Sequence, residues 1–312
     1  MAEQANADQS TLAREAAPVL TQGEIDQRVF DLYDEYCHGH LDRREFLQRA
    51  SVLTIGGVSA LAMAQALLPR YALAQTISFT DQRIKARYVT YPSPGGNSGT
   101  MRGYLVQPNG AGPFPAVLVI HENRGLNDHI RDVARRIALE GFRAVAPDML
   151  SPSGGTPANE DAARDAIGKL DLARSTADAV TMLGELKKSS RGGKVGIVGF
   201  CWGGAFVDRV AVAAGDKLDA GVSYYGPAPN SSEAAKVRAP LLLHHAGLDD
   251  RVAQTLFPFV TALREAHKTV TFQVYDGANH AFNNDTSAER YNKQAADLAW
   301  GRTIRFFHKY LG

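Results

Sequence analysis

The chain has 312 residues, and its 34 Lys and Arg nearly balance its 33 Asp and Glu. Apolar residues make up 45% and charged residues 21% of the chain, as is ordinary for a globular protein. These values exclude a disordered tail, a collagen-like fibre, a disulfide scaffold and a nucleic-acid binder that works by bulk positive charge.

The first 74 residues have the layout of an export signal. Two adjacent arginines are followed by a mostly apolar run and then by a small-x-small site; these parts are Arg43-Arg44, residues 52–68 and Ala72-x-Ala74. Their order resembles the bacterial twin-arginine type of signal. We therefore expect export to the periplasm, or otherwise out of the cytoplasm, by the twin-arginine machinery. Cleavage is expected after Ala74, with no stable membrane span afterwards.

Two other interpretations of this region stay open. The apolar run is 17 residues long, the short limit for a membrane helix, so it is a weak candidate for an uncleaved anchor. Alternatively, it is a buried amphipathic helix beside an incidental arginine pair. Upstream of the arginines, apolar residues recur at helical spacing and predict a short helix over 24–36.

From residue 76 onward, predicted strands and helices alternate. Two early strands, over 84–91 and 101–107, flank a turn-rich segment and predict a hairpin. Further strands are predicted over 115–120, 142–146, 195–200, 220–225, 240–245 and 270–275, and helices over 127–140, 171–188, 205–214, 254–267 and 288–310. This alternation predicts one α/β domain over residues 75–312, with a mainly parallel sheet and helices on both faces. A Pro/Gly/Ser-rich loop over 151–157 is expected at the surface near the site.

The most specific motif of this domain is residues 199–204, which read Gly-Phe-Cys-Trp-Gly-Gly. The motif lies between a predicted strand and a predicted helix, where Gly-x-nucleophile-x-Gly forms a nucleophile elbow. A helix N-terminus favours a thiolate, so Cys201 is the candidate nucleophile. The alternative is a buried structural cysteine beside a glycine-rich turn.

A cysteine nucleophile needs a base and a group that orients the base. In the α/β-hydrolase order, the acid and then the histidine follow the nucleophile along the chain. Asp249 and His280 lie in loops after two predicted strands, at the sheet edge where parallel sheets place their sites. Asp250 is the rival acid, because spacing alone does not separate two neighbours in one loop.

The loop over 121–127 directly follows a predicted strand, and in the hydrolase plan this loop donates an N–H to the oxyanion. We assign the backbone N–H groups of Asn123 and Trp202 to the oxyanion hole. Glu122 then points into the site beside the sulfur, where its charge disfavours the thiolate that His280 favours. The alternative for Glu122 is a surface salt bridge.

A metal site built from His121, Glu122, His244 and His245 is conceivable. No helical His-x-x-x-His pair and no cysteine spacing supports it, so we expect no metal and no cofactor. His244 and His245 are neighbours in one predicted strand and therefore face opposite ways.

The body of the chain resembles the dienelactone hydrolase family, the carboxymethylenebutenolidase-like α/β-hydrolases, over essentially all of residues 84–311. The segments that carry the resemblance are 121–122, 125–127, 141–142, 146–148, 196–204, 224–226, the Asp249 loop and 277–282. The resemblance implies an α/β-hydrolase fold and a triad of Cys201, His280 and Asp249, with Glu122 modulating the thiol. It also implies hydrolysis of a small ester or lactone without a cofactor.

The sequence departs from the family at the substrate-binding arginines. In the family's lactone hydrolases, arginines hold the substrate carboxylate, and one of them follows the catalytic His by four residues. That position is Asn284 here, and Ala281 stands where Ser often follows the His. Arg124 is a candidate for the missing charge, with a surface role as the alternative. Tyr224 and Phe282 are expected to line the pocket.

Other functions stay open at this point. A broad carboxylesterase or thioesterase on the same fold is the first alternative, and a non-catalytic binding protein that uses the same pocket is the second. A thiol redox protein is disfavoured, because the sequence has no Cys-x-x-Cys motif.

Overall fold

Eight described strands form the sheet on which the candidate site is built. The structure is a computed structural model that describes residues 26–37, 41–55, 58–66, 76–97, 99–287 and 289–312. The strands described are β1 (Thr54–Ile55), β2 (Val58–Ser59), β3 (Ile84–Ser93), β4 (Gly99–Pro108), β5 (Ala116–Ile120), β6 (Arg143–Pro147), β7 (Val195–Phe200), β8 (Ala220–Tyr224), β9 (Leu241–Ala246) and β10 (Val270–Tyr275). The helices described are α1 (Gln27–Cys37), α2 (Arg43–Ser51), α3 (Ala60–Ala66), α4 (Asp128–Leu139), α5 (Glu160–Ile167), α6 (Leu172–Ser189), α7 (Trp202–Ala213), α8 (Asp250–Glu265) and α9 (Lys293–Leu311).

The strand order of the large sheet is β10-β9-β8-β7-β5-β6-β4-β3. Strands β5 to β10 pair in parallel, whereas β3 and β4 form an antiparallel hairpin whose second strand joins β6. Strands β5 and β7 are buried along their whole length, which explains their continuous apolar sequences. The predicted mainly parallel sheet is confirmed.

Two apolar clusters cover the two faces of the sheet. Helices α4 and α9 pack on one face, and helices α6, α7 and α8 pack on the other. The prediction of helices on both faces is therefore confirmed. Because helices cover both faces of the sheet, the polar loops are exposed at the ends of the strands, and the site residues lie in these loops.

Side-chain caps shift several helix boundaries from their predicted places. The Asp249 carboxylate accepts a hydrogen bond from the Val252 N–H, so α8 starts at residue 250 and not at 254. Asn292 caps α9 in the same way, and that helix starts at residue 293. Helix α5 was not predicted, because its apolar stripe is short.

The N-terminal helices have a small core of their own. The buried side chains of this core are Val29, Tyr33, Tyr36, Leu41, Phe46, Ala50, Met63 and Ala64. The rings of Tyr36 and Phe46 stack at 5.3 Å between centroids. The predicted helix over 24–36 is present as α1, although its first two predicted residues lie outside the described ones. The rings at the centre of this core come from α1 and α2, so the two helices are held together by apolar packing.

The apolar run of the predicted export signal is divided among β1, β2 and α3 in the described residues. No helix of the described part of the chain is long and apolar enough to cross a membrane. The expected cleavage site, Ala72-x-Ala74, lies outside the described residues. Export and cleavage stay predictions.

Candidate active site

Cys201 sits at the sharp turn between β7 and α7. Its backbone has a φ of +54°, in the left-handed region that non-glycine residues rarely adopt. The turn is possible because its flanks carry no side chains: a Cβ on Gly199 would lie 2.1 Å from the Gly203 carbonyl oxygen, and one on Gly203 would lie 2.5 Å from the His121 carbonyl oxygen. The close approach of these backbones therefore requires glycine at both positions, as the elbow motif predicts.

Cys201, His280 and Asp249 form a hydrogen-bonded chain. The Nε2 atom of His280 lies 3.1 Å from the Cys201 Sγ atom, and its Nδ1 atom lies 2.6 Å from the Asp249 Oδ2 atom. Burial alone would raise the pKa of Asp249, but the facing imidazole and the Val252 N–H lower it below its ordinary value. Asp249 is thus held as a carboxylate against the imidazole.

The rival acid takes a different position. Asp250 is exposed and begins α8, while the neighbouring Asp249 contacts the imidazole. The two loops that carry Asp249 and His280 follow β9 and β10, which are adjacent parallel strands. Their carboxyl ends therefore meet at one edge of the sheet, as the sequence predicts.

Glu122 is buried in the site, so the alternative of a surface salt bridge is wrong. Its exposed fraction is 4%, and its Oε2 atom accepts a hydrogen bond of 2.7 Å from the Asn284 side-chain amide. Asn284 is itself held by Thr286, whose N–H and hydroxyl both donate to its Oδ1 atom. A neutral amide that holds Glu122 therefore occupies the position where the family's lactone hydrolases place an arginine.

The loop after β5 is fixed by His121. Burial lowers the pKa of this histidine, and the neutral ring donates from Nδ1 to the Glu122 carbonyl at 2.6 Å. Its Nε2 atom accepts from the Met149 N–H at 3.3 Å. The ring also stacks on Trp202, 5.5 Å between centroids. His121 thus ties the loop that carries Asn123 to the start of α7, which carries Trp202.

A second contact links this loop to the predicted surface loop over 151–157. The hydroxyl of Thr156 accepts a hydrogen bond of 2.9 Å from the Leu126 N–H. Because Leu126 belongs to the loop after β5, the surface loop lies near the site, as predicted.

The two histidines of β9, His244 and His245, do not form the metal site considered from the sequence. His244 forms hydrogen bonds with the hydroxyl groups of Tyr275 and Thr303. Burial lowers the pKa of its imidazole to about 3. His245 faces the rings of Phe257 and Phe272 on the opposite side. Within the described residues, no group of three or more His, Cys, Asp or Glu is arranged to hold a metal ion.

Two residues expected to line the pocket are core residues instead. Tyr224 is fully buried, and its hydroxyl lies 2.6 Å from the Thr303 hydroxyl. Its backbone carbonyl accepts from the Cys201 N–H at 3.0 Å, so it supports the elbow from below. Phe282 is also fully buried and packs on the ring of Tyr275.

Tyr225, which sequence reasoning did not single out, is fully buried and lies beside His280. Its ring lies 5.2 Å from the His280 ring, and its φ is +40°. Burial raises its pKa well above the ordinary value, and the charges of Glu122 and Cys201 add to this effect. The Tyr225 hydroxyl has no hydrogen-bond partner within the described residues. Neighbouring residues at a strand end point opposite ways, so one of the two tyrosines was expected to face away from the site, but strand alternation does not say which.

Arg124 is buried beside the site and not at the surface. Its exposed fraction is 2%, and its guanidinium lies 4.9 Å from the centre of the Tyr36 ring in α1. It therefore faces the N-terminal helices, a contact that no pattern in the sequence predicts.

Comparison with known proteins matches most of the chain to one family. The model of the "Dienelactone hydrolase family" matches residues 101–311, and a second model, described as "YqhI-like", matches residues 17–55. A protein of Methylorubrum extorquens named "Putative carboxymethylenebutenolidase" is 31% identical over 269 residues, which is 81% of this chain and 91% of that protein. A "Putative hydrolase fragment YghX" of Escherichia coli is 53% identical over 115 residues, 36% of this chain and 97% of the fragment.

Solved structures agree with this match. The crystal structure of a "Putative Dienelactone Hydrolase" from Klebsiella pneumoniae superposes with a TM-score of 0.64 and 29% identity. The superposition covers 73% of this chain and 99% of that one. The chain therefore belongs to the dienelactone hydrolase family and is a hydrolase with an α/β-hydrolase fold.

Proposed function

We propose that this protein hydrolyses carboxylic esters or lactones with Cys201 as the nucleophile. The observation that carries the proposal is the hydrogen-bonded chain from Sγ through His280 to Asp249. Asp249 accepts a hydrogen bond from the Nδ1–H group, which leaves Nε2 as the acceptor that faces the thiol. The thiol sits at the N-terminus of α7, whose dipole favours the thiolate.

The proposed reaction has two steps. In the first, His280 takes the thiol proton, the sulfur attacks the carbonyl carbon, and the N–H groups of Asn123 and Trp202 stabilise the oxyanion. The imidazolium then protonates the leaving alkoxide, and a thioester to Cys201 remains. In the second step, His280 takes a proton from water as the water oxygen attacks the thioester carbonyl. The C–S bond then breaks, the imidazolium returns the proton to the departing thiolate, and the carboxylic acid is released.

Glu122 sets the resting state of the thiol in this proposal. Its buried carboxylate disfavours a neighbouring negative charge, whereas His280 favours it. The opposing effect of Glu122 on the thiolate therefore ends when a bound substrate displaces the carboxylate. The neutral Asn284 amide holds Glu122 without offsetting its charge.

The position of Asn284 also bears on the substrate. Its amide is engaged by Glu122 and by Thr286, so this position presents no cation to a substrate carboxylate. This arrangement favours a broad esterase or thioesterase acting on neutral substrates over a lactonase for anionic ones.

Replacing Cys201 with Ala should lower hydrolysis by about a thousandfold or more, because the variant lacks the nucleophile. The measurement is turnover by the full chain on a panel of a dienelactone, simple lactones, p-nitrophenyl esters and a thioester. The preferred substrate decides between lactonase and general esterase. Wild-type turnover in Cys201→Ala would contradict the proposal, and a folded, reduced wild type that turns over no substrate on the panel would favour a binding role.

Replacing Asp249 with Asn should lower kcat by about a thousand- to ten-thousandfold, because an amide favours the wrong imidazole tautomer. Asn also caps helices well, so the free energy of unfolding should change by less than about 0.5 kcal/mol. Steady-state kinetics and urea unfolding measure the two effects. Asp250→Asn is the matched control and should keep kcat; a loss there equal to that of Asp249→Asn would sink the assignment.

Replacing Glu122 with Gln should make Cys201 react at lower pH, by about one pH unit, because the variant removes a like charge near the thiolate. The rate of alkylation by iodoacetamide is measured against pH, and peptide mass mapping separates Cys201 from Cys37. Glu140→Gln, at an exposed position, is the control. An unchanged pH profile in Glu122→Gln would show that the carboxylate does not act on the thiol.

A further inference from the structure

The N-terminal helices lie against the residues of the candidate active site. The Tyr36 ring faces the guanidinium groups of Arg124 and Arg164, at 4.9 and 4.8 Å from the ring centre. Its hydroxyl donates to the Asp161 Oδ1 atom at 2.5 Å. Arg124 comes two residues after Glu122, so this contact reaches the loop that forms the site.

A second tyrosine of α1 makes the same kind of contact on the other side of the site. The Arg290 guanidinium lies 4.5 Å from the centre of the Tyr33 ring. Tyr33 and Tyr36 are both buried, with exposed fractions of 3% and 1%. Cation–π contacts are strongest where the groups are desolvated, so these two tyrosines hold α1 on the body.

Helix α1 forms one wall of a cavity that reaches the catalytic residues. The cavity has a volume of about 530 Å³, a size suited to a small molecule. The α1 wall consists of Gln27, Asp31, Tyr33 and Glu35. The opposite wall includes Asp249 and His280, whereas Cys201 does not line the cavity and is only 4% exposed. The cavity therefore ends beside the imidazole while the sulfur stays covered.

Four carboxylates and two guanidinium groups line the cavity: those of Asp31, Glu35, Asp249, Asp250, Arg251 and Arg290. Carboxylates therefore outnumber guanidinium groups, and the charged side chains of the α1 wall are both carboxylates. An ester with a negative charge meets the like charge of Asp31 when it enters this cavity, which costs free energy. A neutral ester of the same shape does not meet this repulsion. Asp31 is exposed, and its side chain accepts a hydrogen bond from the Gln27 amide within the same helix. Its charge therefore lies at the surface of the cavity and not in the apolar core.

We propose that residues 26–37 and 41–51, hereafter the cap, cover Cys201 and that α1 selects neutral over anionic substrates. The inference rests on the proposed ester hydrolysis. It makes the N-terminal segment part of the working enzyme, in contrast to its expected removal after Ala74. Asp31 is then a specificity residue, and Tyr33 and Tyr36 are positioning residues that keep the cap in place.

The first test changes the wall without touching the core. Asp31→Lys in the full chain should raise the ratio of kcat/KM for mono-p-nitrophenyl succinate to that for p-nitrophenyl butyrate by about fivefold, through the reversal of one charge. Gln48→Ala, at an exposed position of α2, is the matched control and should leave the ratio unchanged. An unchanged ratio in Asp31→Lys overturns the selecting role of α1.

The second test measures access to the sulfur without using hydrolysis. The double variant Tyr33→Ala, Tyr36→Ala should increase the rate of Cys201 alkylation by iodoacetamide on the order of tenfold, because it loses the contacts that hold the cap. Tyr36→Phe keeps the ring and loses only the bond to Asp161, so a smaller increase is expected. An unchanged rate in the double variant overturns the covering role, even if α1 no longer folds in it.

These outcomes are separable from failure of the proposed function. Retained turnover in Cys201→Ala removes the nucleophile assignment, whereas the alkylation rates still report whether the cap covers the sulfur. Intact mass identifies the chain in each preparation. An active enzyme from its own host that begins at Gln75 would overturn the proposal, because that form lacks the cap.

Discussion

The backbone turn at Cys201 is the constraint on which the rest of the site depends. The chain turns from β7 into α7 at Cys201, whose backbone has a strained φ of +54°. The turn brings neighbouring backbone atoms against Gly199 and Gly203, where a side chain would not fit. The Cys201 N–H is tied to the last residue of β8, so the turn is fixed by the sheet on both sides. This rigidity places the sulfur above the sheet edge, where side chains from other strands reach it.

The parallel order of β7, β8, β9 and β10 brings the other parts of the site to that edge. The Asp249 loop and the His280 loop follow adjacent strands, and the Asp249 carboxylate orients the imidazole while it also caps α8. The cap of a helix and the proposed acid of a triad are therefore one side chain, which couples the geometry of the site to the stability of the helix.

In our proposals, charged and aromatic groups keep the site closed when no substrate is bound. Glu122 is a buried carboxylate, the Tyr225 ring lies against His280, and tyrosine rings of α1 contact Arg124 and Arg290. Each of these groups is shielded from water, where electrostatic interactions are stronger than at the surface. In our proposals, a substrate enters the small cavity beside α1 and then displaces the Glu122 carboxylate.

Local patterns in the sequence determined the alternation of strands and helices, the elbow at Cys201 and the order of acid and histidine, because each depends on residues close together in the chain. Burial and direction were decided only by the tertiary structure. Tyr224 and Tyr225 are indistinguishable by composition, yet the end of β8 turns the first into the core and the second toward His280. Asp249 and Asp250 are distinguished by the start of α8, where Asp249 is the capping residue and Asp250 is the first helical residue. The hydrogen-bond partner of the buried Glu122, Asn284, lies 162 residues away in the chain. The packing of α1 on the site depends on contacts across more than 80 residues, and no local periodicity carries that information.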